Sequence, residues 1–142
     1  MQEYDDNNIF ARIIRGELPC HKVYENDHSI VFMDLLPQSP GHTLVVSKTK
    51  AVNILDISSQ DLKNLMEDVQ KVAVAAQDAF NADGICIFQF NGEAAGQTVF
   101  HLHFHVIPRY AHEVMQHHAS KREDPGVLDE YAKRLRDVLK IS

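Results

Sequence analysis

The stretch from residue 101 to 107 constrains the fold of this chain more than any other, because its residues alternate strictly in character. Three histidines alternate with three large apolar residues, in the order His101, Leu102, His103, Phe104, His105 and Val106. Successive side chains of a β-strand point to opposite faces, so the alternation predicts a half-buried strand. The three imidazoles would form a row on one face, and the apolar residues would face a core on the other.

The residue types allow three interpretations of this row of histidines. A chance run on a solvent-facing strand is disfavoured by the strict spacing beside a glycine-containing loop. A metal site is possible because two histidines at positions i and i+2 of a strand can both reach one zinc ion. A nucleophilic site is possible because a neutral imidazole can attack phosphorus while neighbouring imidazoles bind the phosphate oxygens. Residue types alone leave the metal and the nucleophile interpretations open.

The loop before the strand, residues 91–98, brings together groups that suit a phosphate. Gly96 allows the backbone to approach an anion without a Cβ atom in the way. Asn91, Gln97 and Thr98 carry side-chain donors toward the same region as the imidazoles. The loop lacks the Gly-Lys-Ser/Thr ending of a Walker loop, so a phosphate site of another kind is indicated.

Hydrophobic periodicity predicts the remaining secondary structure. The predicted helices are Ile9 to Arg15, 59–81 and Pro125 to Lys140, and the predicted further strands are Lys22–Glu25, Ser29–Met33, Thr43–Ser47 and Ile85 to Phe90. The predicted helix caps are Asn7 or Asn8, Ser58 with Asp61, and Asp124 with Pro125. The strand from Ile85 to Phe90 is apolar on both faces, as expected in the middle of a covered sheet.

The long helix carries one apolar stripe that could serve both the sheet and a partner subunit. Its members are Leu62, Leu65, Met66, Val69, Val72, Ala73 and Ala76. Residues 1–7 are polar and are expected to be mobile. The histidines after the triad strand, namely His112, His117 and His118, lack a partner with ligand spacing and are assigned to a solvated loop.

Composition excludes several classes of function. The formal net charge of −6 argues against general affinity for nucleic acid, which needs an excess of basic residues on one face. No apolar run approaches the roughly 20 residues needed to cross a bilayer, and the acidic N-terminus is not a secretory signal. A cytoplasmic location without membrane contact is therefore expected. Cys20 and Cys86 lack CxxC spacing and are interpreted as single small residues rather than a disulfide or redox pair.

The pattern His-φ-His-φ-His-φ-φ, where φ is apolar, closely resembles the signature of the histidine triad (HIT) family of nucleotidyl hydrolases and transferases. The resemblance extends over roughly residues 8–109 and is strongest to the bacterial Hint-like branch. The segments that carry it besides the triad are Ile9-Phe10 through Ile14, Phe32-Met33-Asp34, Pro37 to His42, Leu44-Val45-Val46, and the loop residues Asn91, Gly96, Gln97 and Thr98.

Together with the predicted elements, this resemblance implies one HIT-like α+β domain over residues 1–142. Its five-stranded, mostly antiparallel sheet would carry one long helix, with a short N-terminal helix and a C-terminal helix in a variable segment, 110–142. By resemblance the protein would be a homodimer joined through the long helix and the fourth strand. Some bacterial relatives hold a structural zinc with two cysteines near the first helix, but the matching positions here are Asn8 and Ala11. No cofactor and no structural zinc are therefore expected.

The resemblance also implies roles for individual residues. His103 would attack the α-phosphorus, while His105 and the side chains of Gln97 and Thr98 hold a phosphate oxygen. His101 would contribute to the hydrogen-bond network, and His42 would orient the triad without touching substrate. The expected substrate-binding residues are Ile9, Phe10 and Ile13 with Phe32 for a purine base, Leu35 for base or ribose, Asp34 for the ribose hydroxyls, and Asn91, Gly96, Gln97, Thr98 and His105 for the phosphate.

The expected reaction is hydrolysis of purine nucleoside phosphoramidates or related nucleotide conjugates at the α-phosphate, with AMP or GMP as a product ligand. This branch is favoured because Gly96-Gln97-Thr98 and Pro37-Gln38 resemble it more closely. Three alternatives stay open. They are hydrolysis of dinucleoside polyphosphates, regulation by nucleotide binding with incidental turnover, and a zinc- or copper-dependent hydrolase that uses the histidine row as ligands.

Overall fold

A five-stranded antiparallel sheet with strand order β1-β2-β3-β5-β4 organises the structure. The computed structural model describes residues 2–114 and 121–141, so the predicted loop histidines His117 and His118 lie outside the described residues. The strands are β1 (Lys22–Glu25), β2 (Ser29–Met33), β3 (Thr43–Ser47), β4 (Gly84–Phe88) and β5 (His103–Arg109), and the helices are α1 (Ile9–Ile14), α2 (Ser59–Ala79) and α3 (Pro125–Leu139). The predicted α+β class is confirmed.

The alternation of the triad strand separates two faces of the sheet. The face covered by α2 and α3 holds the main core, which includes Val31, Val45, Leu102, Phe104 and Val106 with Leu65, Val69, Val72, Leu128 and Leu135. The opposite face holds a smaller cluster under α1, formed by Phe10, Ile30, Phe32, Leu44 and Val46. The apolar residues of the triad run therefore face the main core as predicted, and the histidines belong to the other face.

Local sequence sets the ends of the helices. Asn8 accepts from the Ala11 N–H, Ser58 from the Asp61 N–H, and Asp124 from the Gly126 N–H, so a predicted cap begins each helix. Gly16 follows α1 at φ 79°, a conformation that glycine adopts without a Cβ penalty. These caps fix where α1 begins, and α1 forms one wall of the cleft described below.

Two predicted features of α2 and β4 need correction. On α2, Asp68 is buried and Met66 is 38% exposed, because the stripe that meets the sheet runs through residues 65, 68, 69, 72, 75 and 76. Strand β4 is an edge strand rather than a middle one, and its Ile87 is 44% exposed. Its two apolar faces are thus only partly covered by this chain.

The N-terminal segment, for which mobility is predicted, contacts the rest of the chain through two of its residues. Tyr4 is half-buried and its hydroxyl lies 2.8 Å from His101 Nδ1, while Asp6 forms an ion pair with Lys50 at 2.7 Å. His101 itself precedes β5, since regular pairing begins at His103. Cys20 and Cys86 are both free and half-buried. Among the described helices, none is long and apolar enough to span a bilayer.

Candidate active site

A cleft of about 360 Å³ opens on the face of the sheet that carries α1. Its apolar lining consists of Ile9, Phe10, Ile13, Pro19, Cys20, Phe32, Met33, Leu35, Leu36, Leu44 and Val99. The polar side chains that line it are those of Asp34, Gln38, Thr98, His103 and His105. A largely apolar cleft with a few converging polar groups is the usual form of a small-molecule site.

His103 presents one defined nitrogen to the cleft. Its Nδ1 lies 2.6 Å from the carbonyl oxygen of His101. Because a carbonyl oxygen can only accept, Nδ1 carries the proton and Nε2 keeps its lone pair. The ring of Phe10 meets the His103 ring edge to face, with centroids 4.9 Å apart, and limits its rotation. The structure therefore holds His103 in the tautomer that a nucleophile requires.

His105 has the opposite tautomer, which His42 determines. The backbone N–H of Gln38 donates to His42 Nδ1 at 3.0 Å, so neutral His42 carries its proton on Nε2. That nitrogen lies 2.9 Å from His105 Nδ1 and donates to it. The proton of neutral His105 is consequently on Nε2, where it can donate to an oxygen in the cleft.

His42 is held in place by the turn before β3. Gly41 has φ 93°, and a Cβ atom built on it would lie 2.7 Å from the Phe80 ring. Only glycine fits this turn, which directs the fully buried His42 ring toward His105. The structure thus places His42 in contact with His105 and outside the cleft lining.

Burial keeps these imidazoles neutral. It lowers the pKa of His103 to about 4 and the pKa of His105 to about 4. It also lowers the pKa of His42 to about 3, with a smaller contribution from the neighbouring histidines. A lone pair on His103 and an N–H donor on His105 are therefore both available at neutral pH.

Asp34 follows β2 and lines the cleft. Its Oδ1 accepts from the Leu36 N–H at 2.9 Å, and its Oδ2 lies 3.4 Å from His42 Nε2. Burial raises the pKa of Asp34 to about 6, although the Leu36 N–H lowers it. The carboxylate is mainly ionised at neutral pH and keeps acceptor capacity for a ligand.

The residues of the loop 91–98 have two different surroundings: one lines the cleft, and others hold the loop in shape. Thr98 is exposed and lines the cleft, as expected for a residue that touches phosphate. The buried amide of Gln97 instead donates to Val52 O at 2.6 Å and Val99 O at 3.1 Å. Its Oε1 accepts from the Gly92 N–H at 2.8 Å. Gln97 therefore shapes the loop, which differs from its expected role as a direct phosphate ligand.

Asn91 and Gly96 also act within the loop. Asn91 Oδ1 accepts from the Ile54 N–H at 2.9 Å, and its Nδ2 donates to Gln89 Oε1 at 3.0 Å. Gly96 adopts φ 101° and ends the short 3₁₀ turn Glu93–Ala95. None of these groups lines the cleft, so the loop offers Thr98 and its flanking backbone to a ligand.

A metal ion shared by Asp34, His42 and His105 does not fit the hydrogen bonds of this site. Potential ligand atoms of Asp34, His42 and His105 lie within 4.8 Å of one another. However, His42 Nδ1 accepts a backbone N–H, so its Nε2 carries a proton and lacks a lone pair for a cation. The contacts of His42 with Gln38 and with His105 are therefore hydrogen bonds.

A structural zinc near α1 does not fit either. The Asn8 amide caps α1 with its oxygen and places Nδ2 3.2 Å from His101 Nδ1. The side chain of Ala11 is a buried methyl group. Neither position supplies a thiolate, which is the ligand that two cysteines there would provide. His101 Nδ1 instead lies 2.8 Å from the Tyr4 hydroxyl.

Sequence reasoning missed several residues of the site. Cys20, Leu44 and Val99 line the cleft because the chain returns to it from distant positions, which local patterns do not reveal. Asn53 accepts from the Leu55 N–H within a capping box and donates to Gln97 at 3.4 Å. Its Asn-x-x-Asp spacing was a readable signal for that turn. Tyr4 had no signal in the sequence.

A family model described as the HIT domain matches residues 15–112. Protein hit of Bacillus subtilis is 43% identical over 105 residues, which cover 74% of this chain and 72% of the relative. Adenylylsulfatase HINT3 of Arabidopsis thaliana is 33% identical over 127 residues, which cover 89% of this chain and 64% of the relative.

Solved structures agree with these sequence matches. A Hit-like protein involved in cell-cycle regulation from Bartonella henselae, solved with an unknown ligand, has a TM-score of 0.89 and 46% identity, and the match covers 96% of this chain and 99% of that one. A Zn-bound histidine triad family protein from Mycobacterium smegmatis has a TM-score of 0.84 and 33% identity, with 94% of each chain covered.

Proposed function

The chain belongs to the HIT domain family, whose members are nucleotide-binding hydrolases and transferases, and we propose that it cleaves purine nucleotide conjugates at the α-phosphate. The observation that carries this proposal is the pair of opposite tautomers at the cleft. His103 offers a lone pair, and the adjacent His105 offers an N–H donor, with ring centroids 5.1 Å apart. One group can attack phosphorus while the other holds a phosphate oxygen.

The cleft suits a nucleotide in three parts. The aromatic rings of Phe10 and Phe32 and the aliphatic side chains around them provide an apolar slot for a purine base. The carboxylate of Asp34 can accept hydrogen bonds from both ribose hydroxyls, because an ionised carboxylate has two acceptor oxygens and no donor. Thr98, His103 and His105 then surround the α-phosphate.

The reaction proceeds in two displacements. His103 Nε2 attacks the α-phosphorus, the bond from phosphorus to the leaving group breaks, and a departing amine takes up one proton from solvent. Water then attacks phosphorus, the bond to His103 breaks, and the nucleoside monophosphate and one proton are released. His105 donates to the non-bridging oxygen in both steps, where the developing charge strengthens that hydrogen bond. A covalent intermediate divides one difficult displacement into two easier ones.

A purine nucleoside phosphoramidate is the proposed substrate, because the loop sequence Gly96-Gln97-Thr98 resembles that branch. The relative named adenylylsulfatase favours a second candidate, an adenylyl conjugate with sulfate as leaving group. Both substrates carry the same adenylyl half and differ only in what leaves. Comparison of kcat/KM for an adenosine phosphoramidate, adenylylsulfate and a dinucleoside polyphosphate ranks the candidates.

The test compares wild type with His103→Ala in buffer that contains EDTA. Loss of the nucleophile should lower kcat by on the order of 10⁴-fold, as in other enzymes that act through a nucleophile. His28→Ala is the matched control, since His28 lies in the exposed turn between β1 and β2, and it should keep full activity. Mass spectrometry of wild type quenched in alkaline denaturant should find a nucleotidyl adduct.

Two outcomes would overturn the proposal. Inactivation of wild type by EDTA would replace histidine attack with a metal-dependent reaction. Tight binding of AMP without turnover by wild type would make the protein a nucleotide-binding regulator.

We further propose a homodimer formed through α2 and β4. Strand β4 has an open edge, and exposed apolar side chains occur on both elements, with Val74 67% and Ile87 44% exposed. Sedimentation of the 16.1 kDa chain should give twice that mass, and Ile87→Glu should shift it to the monomer. A wild-type monomer at micromolar concentration would contradict this.

A further inference from the structure

His101 is the most enclosed member of the triad. The residue is 1% exposed, and its Nε2 lies 2.6 Å from the carbonyl oxygen of Ser47. Nε2 therefore carries the proton, and Nδ1 accepts. Two donors from the N-terminal segment face Nδ1, namely the hydroxyl of Tyr4 at 2.8 Å and the amide of Asn8 at 3.2 Å.

We propose that Tyr4 and Asn8 are positioning residues that act through His101 to orient the nucleophile His103. The inference rests on the proposed function and extends it to residues outside the cleft. Tyr4 and Asn8 are not in the cleft lining, so any effect on the reaction must pass through His101 or through helix α1, which Asn8 caps.

The physical link is the backbone of His101. Its carbonyl oxygen accepts from His103 Nδ1 and thereby fixes the reactive tautomer. Residue 101 lies before the first paired residue of β5, and the planar peptide that carries this carbonyl is held by one backbone bond, from the Leu102 N–H to the Ala51 carbonyl oxygen at 2.8 Å. The side-chain bonds of His101 on both ring nitrogens hold the residue as well, and together with that backbone bond they set the direction of the carbonyl that His103 uses.

Asn8 adds a second link through α1. Its oxygen caps the helix at the Ala11 N–H, while its Nδ2 faces His101. Helix α1 carries Phe10, whose ring contacts His103 with centroids 4.9 Å apart and His101 at 6.2 Å. A single side chain thus joins the helix that packs on the nucleophile to the residue that sets its tautomer.

The charges around this contact are few. Burial lowers the pKa of His101, and the charged groups that act on Tyr4 are Asp6, Lys50 and Arg15. Asp6 and Lys50 form an exposed ion pair with each other. The two groups that donate to His101 Nδ1 are themselves neutral, and burial keeps the His101 ring neutral.

The test uses two variants that separate positioning from folding. Tyr4→Phe removes only the hydroxyl and should lower kcat about fivefold, the effect of one lost hydrogen bond, with KM within twofold of wild type. Asn8→Asp keeps a good helix cap but replaces the donor with a carboxylate. That carboxylate favours a proton on His101 Nδ1, and kcat should fall about tenfold because a cation beside His103 weakens its lone pair.

Tyr24→Phe is the matched control, since it removes a tyrosine hydroxyl bond on the other face of the sheet. It should lower the unfolding temperature and leave kcat and its pH profile unchanged. A readout independent of turnover is the ¹⁵N NMR signal of His103. Its Nδ1–H should exchange faster with water in Tyr4→Phe and Asn8→Asp and stay unchanged in Tyr24→Phe.

The outcomes distinguish this inference from the proposed function. If wild type does not hydrolyse nucleotides, the proposed function fails, and the NMR comparison still tests positioning. Unchanged exchange of the His103 Nδ1–H in both variants would overturn the positioning role. Equal loss of kcat in Tyr24→Phe would do the same, because the effect would then follow general stability.

Discussion

The buried Asp68 and the half-buried Asp34 lie on opposite faces of the same sheet, and they differ in how many hydrogen bonds the protein gives them. Asp68, on the buried side of α2, accepts from the Tyr24 hydroxyl, the Ser29 hydroxyl and the Asn26 amide. Asp34, in the cleft, accepts one backbone N–H and has a longer contact of 3.4 Å with His42. The first carboxylate has little acceptor capacity left, whereas the second retains it.

This difference indicates which carboxylate serves the fold and which serves a ligand. A buried carboxylate costs free energy unless donors compensate it. The donors around Asp68 come from β1, β2 and the turn between them, so they fasten this hairpin to α2. Asp34 is compensated only in part, and its raised pKa of about 6 is the sign of that deficit. A ribose diol would supply the missing donors.

Asp68→Ala should give the largest effect and should act on stability alone. It leaves buried donors of Tyr24, Ser29 and Asn26 without their acceptor, and we expect a loss of about 3–4 kcal/mol in the free energy of unfolding. Urea unfolding measures this loss, and kcat/KM of the folded fraction should match wild type. Asp68→Asn is the milder variant if the alanine protein does not fold. A loss below about 1 kcal/mol would contradict the comparison.

Asp34→Asn should give the opposite result. We expect kcat/KM to fall about 100-fold through KM, because charge-assisted bonds to two ribose hydroxyls are lost. The free energy of unfolding should stay equal or rise, because a poorly compensated buried charge is removed. A 2′-deoxy conjugate gives the sharper measurement. Wild type should discriminate strongly against it, and Asp34→Asn should not. Equal discrimination by both proteins would mean that Asp34 does not bind the ribose hydroxyls.

The comparison also explains how far the sequence predicts this molecule. The bounds of β1, β2 and β3, the three helix caps and the faces of the triad strand follow from local periodicity and side-chain chemistry, and the structure agrees. Other residues were predicted from the family resemblance. Phe10 and Phe32 are examples, and both line the cleft. In these cases the decisive interactions are local or belong to a known pattern.

The contacts that sequence reasoning missed depend on residues far apart in the chain. Asp68 meets Tyr24 across 44 positions, and Tyr4 meets His101 across 97. The amide of Gln97 was predicted to face phosphate, but Val52 and Val99 occupy its donors. A polar side chain has the same appearance in the sequence whether the fold supplies its partner or leaves it to a ligand, so only the structure separates these cases.

Acidification should affect Asp34 and His103 at different pH values. The effect on KM through Asp34 should be about tenfold per pH unit. Asp34 must be ionised to accept from ribose, so KM should rise as the pH falls below about 6. His103 stays neutral until the pH approaches about 4, so kcat should hold over the same range. Steady-state kinetics from pH 4.5 to 8 test both statements. In Asp34→Asn the rise in KM should disappear. A fall in kcat that accompanies the rise in KM near pH 6 would assign the titration to the histidines instead.

Ser29→Ala gives the smallest expected effect and tests whether Asp68 is saturated. The Ser29 hydroxyl is fully buried and donates to Asp68 Oδ2 at 2.7 Å. Its removal leaves the Tyr24 and Asn26 donors in place, so the free energy of unfolding should fall by only about 1 kcal/mol. Urea unfolding of both variants measures how the loss in the free energy of unfolding in Ser29→Ala compares with the loss in Asp68→Ala. If Ser29→Ala costs as much as Asp68→Ala, the carboxylate depends on one donor and is no better compensated than Asp34. A clear difference between the two variants would mean that the remaining donors sustain the buried charge, which is the property that the cleft carboxylate lacks.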